Sequence, residues 1–114
     1  MNNLRLFREQ SGIERSIIAR LLNINIYTYM GYENERLVLP KSIERMIAKM
    51  YNVKVEDIYC SSDLISQDTI SNLKSISLLE KDKQIELLIF NLTGKKSGRL
   101  TYREISQIKN MYKE

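Results

Sequence analysis

Cys60 is the only thiol in the chain, and no histidine is present to draw a proton from it. Nucleophilic catalysis needs an activated nucleophile, and histidine is the commonest base that activates one. The lack of histidine also removes the commonest metal ligand. Asp63 and Asp68 are too isolated to argue for a metal site. One cysteine makes neither a disulfide nor a CxxC pair, and no obvious neighbouring cation would lower its pKa. No Gly-rich phosphate loop and no clustered carboxylates with ligand spacing appear. The chain is therefore not expected to be an enzyme, and no cofactor or metal is expected. What remains is hydrogen bonding and positive charge. There are 18 Lys and Arg against 14 Asp and Glu, a net charge of +4. Each side of the Cys60–Ser61 bond carries nine cations and seven anions. This mild excess permits a nucleic-acid partner without demanding one.

The elements that must position these groups read as helices. With 114 residues, 43% of them apolar, the chain can form one small domain, or a minimal domain with an appendage. Apolar runs are too short to span a membrane, and the first residues lack the apolar core of a secretory signal. A cytoplasmic protein is expected. Strand-like alternation is almost absent, and apolar residues recur at helical spacing. A first helix is expected over about residues 3–11, with Leu4 and Phe7 inward and Gly12 just past its end. A second begins near Glu14, carries Ile18, Leu21 and Leu22, and ends at Asn23. Asn25 suits the N-cap of a third, which carries Tyr29 and Tyr32. Pro40 suits the first turn of a fourth, with Ile43, Met46, Ile47 and Met50 on one face and Asn52 after its end. A short fifth helix is expected over about residues 55–59. The expected core is Leu4, Phe7, Ile18, Leu21, Leu22, Ile43, Ile47 and Met50.

Cys60-Ser61-Ser62-Asp63 is a polar break, and residues 61–75 are expected to be a linker with a short helix capped by Asp68. Ser77-Leu78-Leu79-Glu80 fits a capping box that opens a longer helix stopped by Gly94. Thr101-Tyr102-Arg103-Glu104 fits a second box, opening a last helix. One apolar stripe holds Ile85, Leu88, Ile89 and Leu92, and the other holds Ile105, Ile108 and Met111. Residues 76–114 are thus expected to form a helical hairpin. Two helices alone make a thin core, so the hairpin is expected to pair with a second copy of the chain. The fold class expected is all-α.

Five ordered segments carry a family resemblance. They are Leu4-Arg5 with Arg8-Glu9 and Gly12; Ile18-Ala19-Arg20-Leu21-Leu22-Asn23-Ile24; Tyr32-Glu33-Asn34; Ile47-Ala48-Lys49-Met50-Tyr51-Asn52-Val53; and Val55-Glu56-Asp57-Ile58-Tyr59. In this order and spacing, residues 3–59 resemble a Cro/repressor-type (XRE-like) helix-turn-helix domain. The resemblance implies a five-helix, lambda-repressor-like DNA-binding fold over residues 1–60. It implies a sequence-specific regulator of transcription, most simply a repressor, that lays its third helix in the major groove of double-stranded DNA as a homodimer. Base contacts would fall to Asn25, Ile26, Tyr27, Met30 and Gly31. Phosphate contacts would fall to Arg15, Thr28, Asn34, Arg36 and Lys41. Arg8 and Glu33 would form a structural ion pair. The two-part layout resembles repressors of biofilm, sporulation or mobile-element genes in low-GC Gram-positive bacteria. Their C-terminal helices assemble oligomers and receive antagonist proteins. A second reading keeps the same fold as a protein-interaction module, an antirepressor or inhibitor. The apolar Ile17, Ile26, Tyr27 and Met30 favour it, because few charges stand where a DNA reader would carry them.

Overall fold

The computed structural model describes residues 1–94, and these are helical throughout their regular structure, with no strand among them. The helices are α1 (Leu4–Ser11), α2 (Arg15–Leu21), α3 (Ile26–Glu33), α4 (Lys41–Tyr51), α5 (Gln67–Ser77) and α6 (Lys81–Thr93). The expected second capping box, and the stripe of Ile105, Ile108 and Met111, lie outside the described residues.

Local chemistry sets most of the boundaries. Gly12 ends α1 at φ 74°, and Asn52 ends α4 at φ 56°, both left-handed. Asn23 takes the same conformation (φ 55°) between α2 and α3, where its short polar side chain lowers the cost. Asn25 caps α3, its side chain accepting from the Tyr27 N–H at 2.8 Å. Other boundaries differ from expectation. Pro40 precedes α4 as its cap residue instead of lying in its first turn. The fifth helix is a single 3₁₀ turn at Val55–Ile58. Ser66, not Asp68, caps α5, because its hydroxyl accepts from Thr69 N–H at 3.3 Å. Ser77 caps nothing. It is the last residue of α5, its hydroxyl donates to the Lys74 carbonyl at 2.6 Å, and α6 begins only after Glu80.

All eight expected core residues are buried, and the Phe7 and Tyr51 rings meet edge-on with centroids 5.9 Å apart. The same cluster also contains Ile65, Leu73, Ile76, Leu88, Ile89 and Leu92. That overturns the expected division. Helix α5 packs on α1, and α6 packs on α4. Residues 61–75 therefore do not act as a linker, and no break in the core falls near residue 60. The reason is that the apolar stripes of α5 and α6 find intrachain partners. Leu88, Ile89 and Leu92, expected to be an oligomerisation surface, are buried against the chain's own helices, and Ile85 packs at the edge of that cluster.

Polar side chains fasten the two halves. Helix ends leave carbonyls without partners, and α5 and α6 supply donors to them. Gln84 Nε2 reaches the Ser11 carbonyl at 3.4 Å and the Ile76 carbonyl at 2.9 Å. Asn91 Nδ2 donates to the Met50 carbonyl at 2.9 Å, and Asn72 Nδ2 to that of Asn52 at 2.6 Å. Asp57, only 6% exposed, accepts hydrogen bonds from the Ser66 hydroxyl at 2.8 Å and from the Thr69 hydroxyl. Asn3 Nδ2 closes the junction by donating to the carbonyls of Asp57 and Cys60, each at 2.8 Å. No helix among the described residues is long and apolar enough to cross a membrane.

Candidate functional site

Helix α3 is anchored from beneath. Tyr29 and Tyr32 are buried in the core. At about 100° per residue, Tyr27, Met30 and Gly31 point the opposite way. Tyr27 is 70% exposed, Asn25 is exposed, and Ile26, Thr28 and Met30 are half-buried. Asn25 uses its Oδ1 for the helix cap, so its Nδ2 donor is what it can offer outward. The exposed start of α3 thus combines a phenol, an amide donor and apolar surface.

Gly31 departs from its expected role as a base contact. It is buried, because the loop after α3 folds back across it. Leu37 N–H donates to the Gly31 carbonyl at 3.0 Å. A Cβ at position 31 would stand 2.7 Å from Leu37 Cδ1. Glycine inside this helix is therefore a close-approach residue, and the helix-propensity penalty of roughly 1 kcal/mol is the cost of seating Leu37. The loop leaves Val38 91% exposed and Leu37 42% exposed.

The cations expected at phosphates take different positions. Lys41 is exposed at the start of α4. Asn34, also exposed, accepts from the Arg36 N–H at 3.1 Å. Arg15 is tied inward: its Nε and Nη2 both lie 3.4 Å from Glu33 Oε1, and its side chain is 40% exposed. Arg8 and Glu33, expected as a pair, meet in a bidentate bridge, with Nε to Oε2 and Nη2 to Oε1 both at 2.9 Å. Glu33 thus joins α1, α2 and α3. A shallow depression beside it is lined by Arg5, Arg15, Met30, Glu33 and Asn34. The link from Arg15 to Glu33 and the loop seated on Gly31 were not anticipated from sequence. The one available signal was a glycine inside a helix.

Burial alone would push the Glu33 carboxyl up. Hydrogen bonds from Arg8 and Tyr29, and the charges of Arg8 and Arg15, outweigh it and hold the group below its ordinary value. Asp57 behaves alike: burial pushes it up, and the hydroxyls of Thr69 and Ser66 bring it below the usual range. A carboxyl depressed in the fold contributes stability that is complete above its unfolded pKa and is lost as pH falls through its folded one. Stability from these two groups should therefore be constant at neutral pH and fall below about pH 4. Thermal melting across that range checks it, and Asp57→Asn should flatten the acid limb. An unchanged melting temperature down to about pH 2 in the parent chain would remove both assignments.

No cluster of three or more Cys, Asp or Glu side chains able to hold a metal occurs among the described residues. Comparison with models of known protein families, with curated proteins and with solved structures gives no match.

Proposed function

We propose that the chain is a helix-turn-helix regulator that binds double-stranded DNA, with α2 and α3 as the motif and α3 in the major groove. The observation that carries this reading is the outward face of α3. It is held on a rigid core through Tyr29 and Tyr32, and it presents Asn25, Tyr27 and Met30 with cations nearby in sequence on both sides. The basic charge balance and the ordered motifs of residues 3–59 support it. Asn25, Ile26, Tyr27 and Met30 face base edges in this reading, and Arg15, Thr28, Asn34 and Lys41 face the backbone. Repression follows if the site overlaps a promoter. Two copies on half-sites about 34 Å apart would complete a palindromic operator. That pairing does not use Leu88, Ile89 and Leu92, which the fold has buried.

Duplex binding measured over a range of salt tests the reading. Affinity should fall steeply with salt. Lys41→Ala should weaken specific and random duplex alike and lower the salt slope by about one. An unchanged slope would mean that Lys41 touches no phosphate.

A second reading, a protein-docking module, is favoured by the exposed Tyr27, Leu37 and Val38. Weak duplex binding at every salt concentration would support it.

A further inference from the structure

Position 31 lies on the outward face of α3, one turn after Tyr27, yet it carries no side chain. Arg36 takes its place. A Cβ on Gly31 would stand 3.1 Å from Arg36 Nη2. The same Nη2 reaches on to the Tyr27 carbonyl at 3.5 Å. The side chain therefore runs back along α3, over the strip that Gly31 leaves open, and its guanidinium lies between position 31 and the Tyr27 carbonyl. Its backbone is held in place. Arg36 N–H is bound by Asn34 Oδ1 at 3.1 Å, Leu37 N–H by the Gly31 carbonyl at 3.0 Å, and Glu35 turns the chain back at φ 66°.

We infer that Arg36, laid over Gly31 along the outward face of α3, reads a guanine in the major groove instead of clamping a phosphate. The inference rests on the DNA-binding reading above. A guanidinium offers parallel N–H donors that match guanine O6 and N7, the commonest specific contact in that groove. Its hold on the Tyr27 carbonyl is long and therefore weak, and a base edge replaces it readily. Helix α3 itself carries no cation, since Ile26 to Glu33 include neither Lys nor Arg. Arg36 brings the missing donor fork to the face from the loop. The guanine should neighbour the bases met by Tyr27.

Selection of duplexes from a random library, by the full chain and by Arg36→Ala, is the test. The parent should fix one guanine. Arg36→Ala should lose that preference by roughly 10- to 100-fold, with preferences at other positions kept. Gly31→Ala is the companion variant. It pushes Leu37 and Arg36 off α3 without changing the charge, so the same position should relax with the salt slope unaltered. If Gly31→Ala fails to fold, the exposed Arg36→Ala decides alone. Uniform weakening on all duplexes, with the guanine preference intact, would make Arg36 a phosphate clamp and overturn the inference while leaving the DNA-binding reading standing. Failure of the parent chain to bind any duplex at low salt would remove both.

Discussion

Leu88→Ala is expected to lower the free energy of unfolding by about 3 kcal/mol, from the lost transfer of the side chain and the cavity left behind. Leu88 is fully buried, in α6, within the cluster that also holds Leu4, Phe7 and Met50. A loss of this size is a large share of the total for a small domain. It should appear as a lower urea midpoint with an unchanged slope, because the two states keep their compactness. The measurement also separates two roles for α6. If the helix served only to join copies of the chain, the substitution would change sedimentation and leave the unfolding midpoint of the monomer alone. Ending the chain near Cys60 should be more damaging still. It removes the apolar cover of α1 and α4, and it strips the Ser11, Met50 and Asn52 carbonyls of the donors supplied by Gln84, Asn91 and Asn72.

Arg8→Ala is expected to cost a similar amount, about 3 kcal/mol, for a different reason. The side chain of Glu33 is 5% exposed and that of Arg8 is 14% exposed. Removing the guanidinium leaves a buried carboxylate with only the longer contact from Arg15 and the hydroxyl of Tyr29. The cost is mostly that of the stranded charge, so removing the charge should relieve it. Adding Glu33→Gln to Arg8→Ala should recover part of the loss, because an amide keeps an acceptor for Tyr29 and needs no counter-ion. Urea unfolding of both single variants and the double variant forms the cycle that measures this coupling. Additive losses would show that Arg8 and Glu33 do not act as a pair. The Arg8→Ala deficit should also shrink in acid, where Glu33 takes up a proton.

The Arg8–Glu33 bridge also bears on the proposed function. Glu33 is the last residue of α3, and its bridges to Arg8 and Arg15 fix α3 against α1 and α2. A loosened pair would blur the placement of Tyr27 and Arg36 before it unfolded the chain. On the proposed DNA-binding reading, the sequence preference of Arg8→Ala should therefore degrade at temperatures below its melting transition.

Period and punctuation were enough to make the first half legible. Leu4, Phe7, Ile18, Leu22, Ile47 and Met50 recur at helical spacing and are all buried. Helix spacing is a local property, so it can be read without knowing the partner. The same holds for Gly12, Asn23 and Asn52, whose left-handed turns cost little for those residue types. The Arg8 and Glu33 pair was legible only through the family resemblance, since 25 residues separate the two in sequence. What the stripe of α6 covers was not legible at all. An apolar stripe states that burial is needed, not where, and α4 and a second copy of the chain satisfy it equally. Tertiary packing chose α4, and with it Gln84 and Asn91 became caps for helices distant in sequence. The same limit hid Arg36. Its sequence position, after the end of α3, suggested the backbone-facing side of a loop. Only the close seating of Leu37 on Gly31, a contact that depends on the fold of residues 34–40, turns that side chain back onto the outward face of α3.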